Sequence, residues 1–150
     1  MIYLASDHAG FELKEELKNV LVQRGFEVKD MGAWSYDPED DYPDFILPAV
    51  KAVALRQAQG EHTTFGIVCG GSGQGEAMAA NRVSGIRAAV YYGGSLEIVR
   101  LSRAHNNANV LALGARFMSA QEAREAVELW LNTEFEGGRH ERRITKIDGS

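Results

Sequence analysis

Apolar positions along the chain fall into two rhythms that alternate from one end to the other. Met1 to Ala5 is a continuous apolar run that reads as a short buried strand ending at Ser6-Asp7-His8. Over residues 9–24 the spacing changes: Leu13, Leu17, Val20 and Leu21 recur at helical intervals, and Gly25 stands where a helix would stop. Phe26 to Met31 alternates like a half-exposed strand, which suits a sheet edge. Gly32 to Asp44 is a polar and aromatic loop, and a helix follows from Pro43 to about Gln59, proline being tolerated in a first turn. The second half repeats the alternation, with strands at Phe65–Cys69, Ile86–Val90 and Asn109–Leu113. Between and after them come a helix from 76 to 82, one capped by Ser95 and running through Ala104, and one from Ala120 to Leu131. The last turns Ala123, Val127, Trp130 and Leu131 inward.

Strands alternating with helices predict an α/β fold with a mainly parallel sheet and right-handed crossovers. Ligands bind beyond the carboxyl ends of the strands in such folds. Ser6-Asp7-His8 and the loop after Cys69 both lie there, facing one crevice. That loop, Gly70-Gly71-Ser72-Gly73-Gln74-Gly75, holds four glycines in six positions, and Glu76 follows at once. The glycines let backbone approach a ligand closely with N–H groups free for an anion, and a helix N-terminus adds partial positive charge. A carboxylate beside such a cradle is what proton abstraction requires.

The loop excludes several familiar sites. Gly71 to Gly75 is G-x-G-x-G, one position short of the dinucleotide fingerprint, and it follows the third strand rather than the first. No lysine follows, so it is not a P-loop. Ser72 lacks the G-x-S-x-G frame of a nucleophile elbow, because Gln74 holds the last glycine position. Each surviving feature also has a plainer reading. The loop can be a tight turn, Glu76 a partner of the helix dipole, Asp7 a cap, Cys69 a small buried hydrophobe, and His105-Asn106 a helix terminator.

Composition narrows the classes. The chain has 150 residues, 45% apolar and 25% charged, which fits one globular domain. A net charge of −5 argues against a nucleic-acid or anionic-membrane partner. No apolar run approaches the roughly 20 residues that span a bilayer, and Asp7 interrupts the N-terminal run too early for a signal peptide. A single cysteine excludes an intrachain disulfide and a multi-cysteine zinc site, and suits a reducing cytoplasm. Against this acidic background the tail Gly137 to Arg143 is basic. If it is helical, Arg139 and Arg143 share a face and offer two guanidinium forks to a phosphate, unless they merely end an exposed helix.

Taken together the residues resemble the type B ribose-5-phosphate isomerase family, which includes galactose-6-phosphate isomerase subunits. The matching segments are Ser6 to Gly10, Asp41 to Asp44, Gly70 to Asn81, Gly85 to Ala88, Ser102 to Asn109, Gly114 to Arg116 and Gly137 to Arg143. The resemblance implies a three-layer, doubly wound (Rossmann-like) sandwich with a five-stranded sheet. It also implies metal-free, cofactor-free interconversion of a phosphorylated aldose and ketose by a cytoplasmic dimer or tetramer. By the same resemblance Asp7, His8 and Tyr42 bind the substrate, and Gly71, Ser72, Gly73, Gln74 and Gly75 hold the enediolate. His105 donates the ring-opening proton beside Asn106. Arg139 and Arg143 bind phosphate with help from Arg116, on a C-terminal arm covering about 134–150.

The base is Glu76 by this likeness. One branch of the family uses a cysteine two residues before the loop's Thr or Ser, where this chain has Gly70. Cys69 is one residue early, and one step along an extended segment turns a side chain to the other face. The other branch uses a glutamate where Glu76 stands. His105 precedes the fifth strand while the glycine loop follows the third, so in a parallel sheet they sit about 16 Å apart at opposite edges. If both act on one substrate, His105 must come from a neighbouring chain. The expected reaction is ribose 5-phosphate to ribulose 5-phosphate. An isomerase of a four- or six-carbon sugar phosphate, with rim residues Asp41, Tyr42, Tyr91 and Tyr92 setting the size, stays open, as does a non-catalytic sugar-phosphate sensor.

Overall fold

The computed structural model describes residues 1–149; Ser150, the last position of the expected C-terminal arm, lies outside the described residues. Five strands form one sheet: β1 (Ile2–Ser6), β2 (Val28–Asp30), β3 (Phe65–Gly70), β4 (Ala88–Tyr91) and β5 (Val110–Gly114). Their order is β2-β1-β3-β5-β4 and every pairing is parallel, with Ile2 opposite Val28, Ser6 opposite Cys69, Gly70 opposite Gly114 and Ala88 opposite Val110. The expected mainly parallel sheet is thus wholly parallel, and β2 is indeed an edge.

The pleat sorts side chains to two cores. Ile2, Leu4, Ile67, Cys69, Leu111 and Leu113 meet α1 (Phe11–Gln23), α4 (Leu96–Ala104) and α5 (Ala120–Asn132), where Leu17, Val99, Ala126 and Trp130 are buried. Tyr3, Ala5, Val68, Val110 and Ala112 meet α2 (Pro43–Ala58) and α3 (Gln74–Ala80) through Ile46, Val50, Val53, Ala77 and Ala80. The result is three layers, helix–sheet–helix. A last helix, α6 (Arg139–Asp148), buries His140 and Ile144 and is tied back by an ion pair from Arg87 to Asp148 at 3.1 Å.

Several element ends shift by one or two residues from the sequence reading, and two of these shifts bear on the site. Strand β4 begins at Ala88 rather than Ile86, because the Ile86 amide turns back to Val83 and the Asn81 side chain brackets Ala88 with two hydrogen bonds. That shift carries Tyr91 into the strand. Expected at a pocket rim, Tyr91 is buried in the core and donates its hydroxyl to the Gly94 carbonyl, whereas Tyr92 is exposed against Phe117. The other difference is α3, which starts at Gln74 rather than 76, because Gly73 makes the turn in the left-handed region (φ 77°).

The chain leaves β1 toward one face through α1 and leaves β3 toward the other through α3. Between these two neighbouring strands the winding reverses. The loops after them open a crevice at the carboxyl end of the sheet, where ligands bind in this architecture.

Candidate active site

At that crevice β3 ends in Gly70, and the ladder to β5 continues one step further through Ala115 N to Gly70 O (2.8 Å) and Arg116 N to Gly71 O (3.1 Å). The chain then turns sharply into α3. Among the described residues the amides of Gly71, Ser72 and Gly73 donate to no protein oxygen, while the Ser72 hydroxyl accepts from Gln74 N at 3.3 Å. Three adjacent free amides make a concave donor set for an anionic oxygen. The Tyr42 ring closes over Gly75, where an added side chain would meet it at 2.8 Å, and the Arg116 guanidinium lies beside Gly71.

Glu76 is not on the exposed face of α3. Its side chain folds back under the loop and is buried, and its carboxyl fills the space that a Cβ at Gly70 would take. Burial, with a smaller push from the nearby Asp7 charge, holds its pKa above the ordinary carboxylate range against the opposing pull of its own amide. Cys69 faces the other way, into the core shared with α1 and α5, and burial drives its thiol pKa far up. The one-residue step thus separates the two side chains as strand periodicity requires.

Asp7 does cap: its Oδ1 accepts from Ala9 N (2.9 Å) and Gly10 N (3.2 Å) as the chain enters the 3₁₀ turn His8–Gly10. His8 stands next to it, its Nδ1 2.6 Å from Asp40 Oδ1, and that hydrogen bond raises its pKa. Asp40 escaped the sequence reading. Its only signal was the acidic run Glu39-Asp40-Asp41 within the polar and aromatic loop.

The remaining candidates gather elsewhere. His105 ends α4, and Glu136 N bonds the Ala104 carbonyl at 3.0 Å, bringing the tail alongside. The His105 and His140 rings stack at 4.1 Å and 11°, and both Nε2 atoms approach Glu136 Oε2, at 3.5 and 3.8 Å. Asn106, Arg139 and Arg143 are exposed around them, and α6 does place the two arginines four apart on one helix. Neither Glu136 nor His140 was foreseen: Glu136 lies in the irregular segment before α6, and only the fold brings it to His105. Since β3 and β5 run side by side, with Gly66 opposite Val110 and Gly70 opposite Gly114, this cluster enters at the amino end of β5. The glycine loop leaves at the carboxyl end, so the structure divides the expected residues into two groups.

Two triads place potential metal-ligating atoms within 4.8 Å of one another: Asp7, His8 and Asp40, and His105, Glu136 and His140. In the first, His8 Nδ1 is engaged by Asp40. In the second, the two imidazole rings stack on each other and both Nε2 atoms face Glu136.

Residues 2–147 match a family model described as Ribose/Galactose Isomerase. The chain is 44% identical over 145 residues to ribose-5-phosphate isomerase B of Mycolicibacterium paratuberculosis, covering 95% of this chain and 86% of that protein. It is 41% identical over 146 residues to its Escherichia coli counterpart, covering 97% and 93%. Among solved structures it resembles ribose-5-phosphate isomerase B from Mycoplasma genitalium with bound ribulose-5-phosphate, with a TM-score of 0.92, 40% identity and coverage of 99% and 93%.

Proposed function

The chain belongs to the ribose/galactose isomerase family, and from that premise we infer that it interconverts D-ribose 5-phosphate and D-ribulose 5-phosphate. The observation that carries the mechanism is the buried Glu76 carboxyl, packed against Gly70 beside three amides with no protein acceptor. In the open-chain aldose, Glu76 takes the proton from C2. The electron pair moves toward the C1 carbonyl and gives a cis-enediolate, whose oxygens lie against the amides of Gly71, Ser72 and Gly73. Glu76 then returns the proton to C1, and the hydroxyl proton passes from O2 to O1, leaving the ketone at C2. Desolvation makes this carboxylate a stronger base than one in water, and each assisted proton transfer is worth about 10²–10⁴ in rate.

Cyclic ribose 5-phosphate must open first. We assign protonation of the ring oxygen to His105, beside Asn106, with Asp7 receiving the anomeric hydroxyl proton. His8, Arg116, Arg139 and Arg143 bind the phosphate, and Gln74, Gly75 and Tyr42 line the sugar. The last two arginines lie on the C-terminal arm of a single isomerase domain. Glu76 and His105 stand at opposite ends of one sheet, so the working unit is a homo-oligomer in which His105 and the α6 arginines of one copy complete the crevice of another. Cytoplasmic location in carbohydrate metabolism goes with this reading.

The test is an isomerisation assay on four-, five- and six-carbon aldose phosphates, with chelator present. The expected outcome is highest kcat/KM on ribose 5-phosphate; a clear preference for another chain length would reassign the substrate.

A further inference from the structure

We propose that Asp40 is a positioning residue that holds His8 as an oriented cation directed at the substrate's phosphate, a role that rests on the sugar-phosphate reading above. One oxygen, Asp40 Oδ1, takes both polar hydrogens at the base of His8: the backbone N–H at 3.0 Å and Nδ1 at 2.6 Å. This contact spans 32 residues of sequence and draws the loop between β2 and α2 down onto the end of β1. Two bonds to one atom fix the backbone and the ring together. A carboxylate can only accept, so Nδ1 carries the hydrogen, and Nε2 is the atom left for a ligand.

The charged oxygens of a phosphate accept hydrogen bonds, so Nε2 meets them with a donor and a charge only when it is protonated, that is, when His8 is a cation. The charged groups facing His8 are Asp40, Asp7 and Arg116, and the Tyr36 ring packs its edge at 6.2 Å. The Asp40 hydrogen bond, helped by the charges of Asp7 and Asp40, outweighs the opposing effects of burial and of Arg116, so the pKa of His8 is raised above its ordinary 6.5. Asp40 contributes most of this through the direct hydrogen bond.

A simple loop clip would not need the charge. The Asp40 side chain is only 7% exposed, and its second oxygen, Oδ2, is buried with no hydrogen-bond partner among the described residues. An asparagine would keep the Oδ1 acceptor without burying a charge. A costly buried charge at this position is explained by what it does to His8. The same logic places His8 and Arg116 as two cations near the glycine loop, balanced by Asp7 and Asp40, so the crevice binds an anion without a large standing positive charge.

The experiment compares wild type with Asp40→Asn and His8→Gln in two ways. The first follows the His8 ring by NMR through a pH titration. The second measures inorganic phosphate as a competitive inhibitor, together with KM, between about pH 5.5 and pH 8.5. In Asp40→Asn the His8 midpoint should fall toward 6.5, and near pH 8 the phosphate Ki and KM should rise about tenfold, with the loss on KM rather than kcat. Near pH 5.5 both proteins carry the imidazolium, and phosphate should inhibit them alike. His8→Gln should bind phosphate weakly across the whole range and lose this limb of the pH profile, which serves as the second variant if Asp40→Asn folds poorly. An unmoved His8 midpoint, or an unchanged phosphate Ki in Asp40→Asn at pH 8, overturns the proposal. Failure of phosphate to inhibit wild type at any pH is a different result: it removes the sugar-phosphate reading, and this role of Asp40 with it.

Discussion

The two ends of the sheet carry the same kinds of residue in opposite states. At the carboxyl end Glu76 is buried, Asp7 is pinned by two amides and His8 by Asp40, so the chemistry is locked in place before any ligand arrives. At the amino end Arg139, Arg143 and Asn106 stand in solvent, and His105 has only loose contacts to Glu136 beyond its stack on His140. The first end resembles half of a preorganised site; the second resembles a set of donors waiting for a surface. Burial raises the pKa of the carboxyl at one end, and burial together with neighbouring cations lowers that of His140 at the other. The difference teaches that a single copy keeps the buried carboxylate of one end and the histidine–arginine cluster of the other apart.

Removing the base should break the comparison most severely. Glu76→Gln keeps the shape and takes away the proton acceptor, so kcat should fall by on the order of 10²–10⁴ or more while KM stays close to wild type. Turnover near normal in that variant would sink the assignment. The same substitution has a second, opposite effect. A carboxyl whose folded pKa is raised contributes stability that is full below its ordinary value near 4.5 and lost as pH rises through the folded value. Glutamine imitates the protonated form, so the variant should melt with wild type near pH 4 and higher by on the order of 2–4 °C at pH 7. Thermal melts at the two pH values check it, and equal shifts at both would show that burial does not strain this carboxylate.

Joining the two ends is the next effect in size. Glu76→Gln and His105→Asn chains should each be inactive alone, whereas a mixed dimer of the proposed kind would hold one crevice with both residues intact. Random exchange gives half mixed dimers with one working site each, so activity should return to about one quarter of wild type. Mass spectrometry verifies the mixture. Verified mixed dimers with no recovery would require both residues to act within one copy, against the roughly 16 Å that the strand puts between them.

The fold was legible because its signals are periodic. The pleat of Ile67, Val68 and Cys69 sorts to two cores as alternation demands, and helices such as α4 and α5 begin at their Ser95 and Ser119 caps. The glycine loop and the flanking carboxylate were legible too, because glycine spacing is local. What the sequence did not carry was side-chain direction. Glu76 sits in a first helical turn, where an acidic residue ordinarily faces solvent, and only the missing Cβ at Gly70 lets it fold inward. Asp40 and Glu136 were invisible for another reason: each reaches its histidine across 32 and 31 residues of chain, and no periodicity links positions that far apart. Tyr91 was misjudged because a two-residue shift of β4, set by the Asn81 bracket on Ala88, exchanges rim for core.

The smallest expected effect on catalysis sharpens the contrast within one strand. Cys69 and Gly70 are neighbours, but the thiol lies in the core beneath α1, packed so closely that no side chain fits at Gly10 above it. Burial keeps it protonated and therefore poorly nucleophilic and poorly basic at neutral pH. Cys69→Ser should thus leave kcat within about twofold while costing about 1–3 kcal/mol of stability, because a hydroxyl replaces the thiol among Leu4, Leu13 and Leu113 without an acceptor. Chemical denaturation reads the stability and the isomerisation assay reads the rate. The native protein should also resist thiol alkylation until denaturant is added. A folded Cys69→Ser variant that has lost turnover would move the base from the carboxyl at the crevice back to the strand, and the distinction between the buried core and the preorganised end would collapse at that residue.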